Sequence, residues 1–337
     1  MTGDFDRDGR LDLAVTMWQN SNVGIQLGNG DGTFQGQIEY STGSNNRPNT
    51  LVINDFNGDN YLDLVVTNSV VDGISILFGN GDGTFQEPMA FAAGPRLGAY
   101  SIAIDDFNHD HYLDIAIAGE YQTYPSILLN DGNQTFNQQT TFFGQQYSQI
   151  RSIVAGDFNN DNITDLALVN QIVSNLNLGF GLGNGTFDNY IQFSVGIISD
   201  CRSISIGDFN CDKQLDIIIA NRGTHSLGVL LGNGDGTFQE EQLLSTGPSS
   251  RPNSVIVHDF NNDGYPDVAF ADSNNYNVGL FLGTGRGTFL NQTTFPLEDY
   301  PTESIIDAGD FNNDGKLDFV VVDPAKNSPD ILLNTCN

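Results

Sequence analysis

One stretch near the start of the chain has residue types and spacing that could do chemistry: Asp4-Phe5-Asp6-Arg7-Asp8-Gly9-Arg10-Leu11-Asp12. Oxygen side chains stand at alternate positions of a short loop, and a further carboxylate follows at position 9. The stretch occurs seven times, its first Asp returning as Asp55, Asp106, Asp157, Asp208, Asp259 and Asp310, always 51 residues on. Calcium takes 6–8 oxygen ligands, and a loop supplies them from positions 1, 3 and 5, from a backbone carbonyl at 7 and from a later carboxylate. The expected chemistry is therefore the binding of a hard cation. The competing use of the same residues is an Asx-turn loop, in which Asp and Asn satisfy backbone N–H groups. Three or more carboxylates crowded into one loop repel one another without a cation, which favours the metal.

Composition supports this and narrows the partners. The formal charge is −30 with 12 Lys+Arg against 42 Asp+Glu, and the seven loops hold 22 of those acids. Seven bound Ca²⁺ would bring the formal charge to −16. Nucleic acid and direct insertion into an anionic membrane are excluded as expectations, since both need basic patches. Cys201, Cys211 and Cys336 lack the paired spacing of a zinc site or a disulfide framework, and read as free thiols or one fortuitous pair. The four histidines, His109, His111, His225 and His258, have no repeated Ser, Cys or Glu partner, so no catalytic constellation is expected.

The elements that must position these loops are short strands. An apolar segment precedes the loop (strand A, Leu51–Ile53 or Val255–Val257) and a β-rich run follows it (strand B, Leu11–Val15, Leu62–Val66 or Leu215–Ile219). After a polar connection comes strand C, Val23–Leu27 or Leu227–Leu231. It ends in a second repeated signature, Gly28-Asn29-Gly30-Asp31-Gly32-Thr33-Phe34, whose Gly and Asn residues suit a tight turn into a strand D. Apolar runs this short, bounded by Gly, Asn and Asp, fit strands better than helices.

Four antiparallel strands repeated seven times predict an all-β chain: a single seven-bladed β-propeller over residues 1–337, its 51-residue repeats truncated at the first and last. The core is expected between blades, with Ile53, Ile104, Ala155, Ile206, Val257 and Ala308 of strand A facing it. Phe5, Phe56, Phe107, Phe158, Phe209, Phe260 and Phe311, at loop position 2, are expected to wedge into it. Seven full periods would need 357 residues, so an incomplete closing seam is expected, lacking strand D of blade 7 and most of strand A of blade 1. A signal peptide, absent from this sequence, would lie outside it.

The two signatures together, Asp-Phe-Asn-x-Asp-Gly-x-x-Asp and Leu-Gly-Asn-Gly-Asp-Gly-Thr-Phe, resemble the FG-GAP/VCBS repeat family, the blade type of the integrin α-subunit propeller. The resemblance spans essentially the whole chain. It implies calcium in the A–B loops, up to seven ions, an extracellular or cell-surface setting, and a role in adhesion or ligand binding. The ligand sets it implies are Asp4, Asp6, Asp8 and Asp12; Asp55, Asn57, Asp59 and Asp63; Asp106, Asn108, Asp110 and Asp114; Asp157, Asn159, Asp161 and Asp165; Asp208, Asn210, Asp212 and Asp216; Asp259, Asn261, Asp263 and Asp267; Asp310, Asn312, Asp314 and Asp318. Position 7 would donate only its carbonyl. Position 6 needs a sharp turn, which Gly9, Gly264 and Gly315 suit and Asn60 and Asn162 tolerate. His111 and Lys213 depart from it, so the third and fifth sites are expected to be the weakest.

The A–B and C–D loops share one face, and the B–C and D–A loops the other. Arg47, Arg96, Arg151, Arg202 and Arg251 precede strand A and would gather near the central channel on that second face, either as an anion site or as Arg–carboxylate pairs stitching blades together. Trp18, Tyr121, Tyr124, Tyr276 and His225 lie in B–C loops on the same face, where aromatics suit protein or glycan contact. N-x-Thr sequons stand at Asn133, Asn162, Asn184 and Asn291. The reading is a non-enzymatic calcium-binding module with a protein or glycan ligand opposite the calcium loops. The alternatives are a carbohydrate-active enzyme or its accessory domain, and a structural spacer in a longer repeat protein. The oligomeric state is not specified by the sequence.

Overall fold

The computed structural model describes residues 1–337 apart from 95–97, 122–123, 141–148, 197–198, 298–304, 323–328 and 336–337. Arg96 and Cys336 therefore lie outside the described residues. All regular structure described is β, and strands adjacent in sequence are adjacent in every sheet. Blade 1 runs Thr2–Gly3, Asp12–Met17, Asn22–Gln26 and Ile38–Ser41 from the inside out. Blade 2 runs Pro48–Asn54, Asp63–Asn68, Gly73–Leu77 and Met89–Ala92. Four further sheets repeat the pattern, and the seventh holds Ile305–Gly309, Asp318–Val322 and Pro329–Leu332. Among the described residues no helix is long and apolar enough to cross a membrane.

Burial explains the strand sequences. Strand B is buried at all six positions in blades 1 to 6, because neighbouring blades cover both of its faces. It therefore reads as a continuous apolar run instead of an alternation. It also starts one residue later than that run suggests. Leu11 stays in the loop and packs against the adjacent blade 7, and the strand opens on the buried Asp12. Strand D is the exposed outer rim. In four blades it is broken after its Phe, which forms only an isolated bridge to the end of strand C, as between Gly28 and Phe34.

Among the described residues the apolar core lies between blades. Seven apolar clusters lie one at each interface between blades, and the seventh joins Leu13 and Val15 of blade 1 to Phe311 and Val320 of blade 7. The chain is thus a closed seven-bladed β-propeller. All seven Phe residues at loop position 2 are buried. Several meet the Phe of the next blade's C–D turn edge to face, as Phe5 does Phe85 at 5.4 Å and Phe311 does Phe34 at 5.8 Å.

Two sets of hydrogen bonds run around the ring in addition. On strand A a hydroxyl at a 51-residue spacing bonds the next blade. Thr50 donates to the Tyr100 carbonyl (2.6 Å), while Ser101, Ser152, Ser203 and Ser254 accept from the N–H groups of Ile153, Ile204, Val255 and Ile306 (3.2–3.4 Å). The second set starts in the A–B loops themselves.

Candidate metal centres and the opposite face

Each A–B loop is wound on its first carboxylate. In blade 2, Asp55 accepts the N–H groups of Gly58, Asp59 and Asn60 at 2.7–3.2 Å, and Asp59 accepts that of Tyr61 at 2.8 Å. Positions 4 and 6 both adopt positive φ in all seven loops. His111 and Lys213 do so too, at 73° and 68°, and they donate to Asp106 and Asp208 at 2.8 Å just as the other loops do. The two residues that depart from the sequence pattern therefore keep the same loop backbone. The turn at position 4 (Arg7, Gly58, His109, Asn160, Cys211, Asn262, Asn313) carries no residue signature, and sequence reading missed it.

The side chains at positions 1, 3 and 5 converge. In the first loop Asp4, Asp6 and Asp8 bring carboxylate oxygens within 4.8 Å of one another. Oxygens held ~2.4 Å from one Ca²⁺ lie no farther apart than ~4.8 Å, so this donor set fits a hard cation. In the other six loops Asn stands at position 3, and its amide donates to the position-5 carboxylate, as Asn57 does to Asp59 at 2.9 Å.

The position-9 Asp sits apart from that trio and has a structural task. Asp12 is fully buried, with Oδ2 accepting the Phe5 N–H at 2.7 Å and Oδ1 the Gly28 N–H at 2.8 Å. Asp63, Asp114, Asp165, Asp216, Asp267 and Asp318 repeat both bonds, to the loop Phe and to the end of strand C. Burial pushes Asp12, Asp63, Asp165 and Asp216 up to about 6 and Asp114 to about 7, against the pull of those N–H groups; the loop's other carboxylates add to the rise. Asp267 and Asp318 are raised for the same reasons. Each oxygen still keeps a lone pair for an ion.

The carbonyl of the same Phe reaches the next blade. Phe5, Phe107, Phe158, Phe209 and Phe311 accept the N–H groups of Gly83, Gly185, Gly236, Gly287 and Gly32 at 2.8–3.0 Å. In blades 3 and 7 strand C ends in Asn instead of Gly, and there the side chain substitutes: Asn130 Nδ2 bonds Phe56 at 2.8 Å and Asn334 Nδ2 bonds Phe260 at 3.3 Å. The latch explains the glycine. Gly83 has φ +80°, and an added Cβ would lie 2.9 Å from both Leu27 Cδ atoms of blade 1.

With motif, loop and blade contacts defined, the family can be stated. A family model for the FG-GAP-like repeat matches residues 4–66, 55–117, 106–168, 212–270 and 259–321. The chain belongs to the FG-GAP-like repeat family. Solved structures similar to this FG-GAP propeller include a virginiamycin B lyase from Staphylococcus aureus, at 12% identity and TM-score 0.70, covering 97% of this chain and 93% of that one. Another is an Agrocybe aegerita lectin recognising non-reducing terminal N-acetylglucosamine, at 18% identity and TM-score 0.64, covering 96% and 85%. At these identities the likeness is one of fold. No curated protein matches the sequence significantly.

On the opposite face the arginines divide. Arg151 pairs with Glu120 of the preceding blade at 3.2 Å, bonds Gln171 and stacks on Tyr100 at 4.5 Å. Arg202 pairs with Asp200 at 3.1 Å. These two are Arg–carboxylate pairs, and the first crosses blades. Arg47 instead lies exposed over the Trp18 ring at 4.6 Å, and Arg251 is exposed as well. Trp18 and Tyr121 are exposed, whereas Tyr124 and Tyr276 are half-buried and His225 Nδ1 donates to the Ser250 carbonyl. The sequons at Asn133, Asn162, Asn184 and Asn291 are all exposed. Cys201 and Cys211 are free thiols, the first buried.

Proposed function

We propose that this FG-GAP propeller is a calcium-loaded, non-catalytic binding module of the extracellular or cell-surface space. It holds up to seven Ca²⁺ in its A–B loops and takes a protein or glycan ligand on the opposite face. The observation that carries the reading is the shared backbone of the seven loops, all with positive φ at positions 4 and 6. The first gathers three carboxylates at positions 1, 3 and 5, in the other six the side chains at positions 1 and 3 both accept the position-5 N–H, and each loop is tied through its position-9 Asp and its Phe to strand C and to the next blade. An ion there would neutralise the crowded carboxylates and fix the loop from which the latch starts. The position-9 Asp would add a ligand through its remaining lone pairs.

The opposite face is suited to ligands for a complementary reason: its B–C turns bear exposed Trp18 and Tyr121, and aromatic side chains are favoured anchors of protein contacts. The similar lectin makes glycans with terminal N-acetylglucosamine a rational first probe of that face. Metal analysis after dialysis against calcium buffer tests the central part of the reading. The expected stoichiometry is near seven per chain, with the His111 and Lys213 loops filled, since their backbones match the rest. A value of two or fewer would overturn the reading.

A further inference from the structure

The B–C turns are unequal around the ring. Those of blades 1 to 4 present Trp18, Val70, Val71, Tyr121, Ile172 and Val173, all exposed by 39–68%. Among the described residues, the B–C turns of blades 5 and 6 present no exposed large hydrophobic side chain. Blades 1 to 3 add two things to this apolar arc. The first is a cleft of about 500 Å³ lined by Ser69, Val70, Asp72 and Tyr121. The second is Arg47, directly beside it: the N–H groups of Ser69 and Val70 donate to the carbonyls of Arg47 and Asn46 at 3.2 and 3.3 Å. The Arg47 guanidinium stacks on Trp18, and among the described residues no carboxylate pairs with it, unlike Arg151 and Arg202.

We infer that this surface, spanning Trp18, Arg47, Val70 and Tyr121, docks a protein partner through a segment that places a carboxylate beside a bulky apolar side chain. The assignment rests on the binding-module reading above and names the partner's chemistry. Charge complementarity selects the carboxylate: Arg47, raised on an indole in a chain of formal charge −30, has no acidic partner among the described residues, and its stacked guanidinium is pre-organised for a bidentate bond. Val70 and Tyr121 in the cleft next to it select the second side chain, and exposed Trp, Tyr and Arg together are the residue types that dominate protein interfaces. A second copy of the chain is disfavoured by its own charge, and a long polyanion would meet the surrounding acids.

The test uses the full chain in calcium buffer with bound metal measured on the same samples. Fluorescein-labelled peptides carry a central Asp-Leu, Asp-Phe or Asp-Trp pair in a Gly/Ser background, with Asn-for-Asp, Lys-for-Asp and Gly-for-apolar controls. Fluorescence polarisation is expected to show binding of the acid–apolar peptides, weakened about tenfold or more by the Asn and Gly controls. Arg47→Glu should abolish it and Trp18→Ala weaken it. Arg47→Lys should retain part, and Leu243→Asp on the outer strand of blade 5 should leave it unchanged. No binding by any acid–apolar peptide, equal binding of the Asn control, or insensitivity to Arg47→Glu would overturn the assignment. Binding only of acidic oligosaccharides, run in parallel, would overturn it as well. In each of those cases normal calcium loading would leave the binding-propeller reading standing.

Discussion

At the residue scale, the seven loops give their acids two tasks. Positions 1, 3 and 5 converge in the loop, while position 9 is buried and holds two backbone N–H groups. Asp165→Ala is therefore expected to destabilise the protein by ~2–5 kcal/mol, with or without calcium, because it strands the Phe158 and Gly181 N–H groups. Asp161→Ala should cost little in chelator and mainly remove the calcium-dependent increment; urea denaturation with and without chelator separates the two. The raised position-9 acids also set a pH dependence. Their folded-state values, about 6 for Asp12, Asp63, Asp165 and Asp216 and about 7 for Asp114, lie above the unfolded value of 3.8. A raised acid contributes most stability below its unfolded value and loses it as pH rises through the folded value. Chelated protein should therefore lose stability as pH rises from ~4 to ~7 through this effect, and calcium-loaded protein should resist that loss. Parallel melts across that range check the sign. The loop ligand pattern was legible because alternating oxygens are a side-chain signal; the burial of position 9 was not, because its partners are backbone N–H groups 7 residues before it and 16 after it.

At the element scale, strands, turns and the inter-blade core followed from periodicity, since a 51-residue register of apolar runs leaves few other folds. The details that tie blades together were less visible. The hydroxyl ladder of Thr50, Ser101, Ser152, Ser203 and Ser254 was present as a repeat, but Ser in a strand announces no partner until the neighbouring blade is placed. The substitution of Asn130 and Asn334 for the glycine latch was hidden for the same reason: the compensation is in space, 74 residues back along the chain. Two comparisons test the latch by equilibrium unfolding. Gly83→Ala combines a positive φ with a contact to Leu27 and should cost ~2–4 kcal/mol. Gly9→Ala has a positive φ but nothing within 4 Å of the added Cβ, and should cost only ~1–2 kcal/mol. Asn130→Ala should cost ~1–3 kcal/mol by stranding the Phe56 carbonyl.

At the scale of the whole molecule, ring closure makes every blade a neighbour of two others, and the latch from each Phe makes each loop part of an interface. Blade 7 meets blade 1 through the devices that four other pairs of blades use: an apolar cluster, a Phe–Phe contact and a glycine bond, here Gly32 to Phe311. The seven-bladed ring was legible from the count of repeats, while the inequality of the B–C turns was not, because only the folded ring shows which turns adjoin. If the loops hold calcium with dissociation constants of ~10⁻⁴ to 10⁻³ M, ~2 mM calcium stabilises each site by ~0.7–1.8 kcal/mol and seven sites by ~5–13 kcal/mol. The most direct measurement is thermal unfolding of the chain at neutral pH in ~2 mM calcium and then in excess chelator. A large fall in melting temperature on chelation, reversed by restoring calcium, is the predicted result. Identical melting in the two buffers would contradict the account, leaving the seven loops as Asx-turns that need no ion.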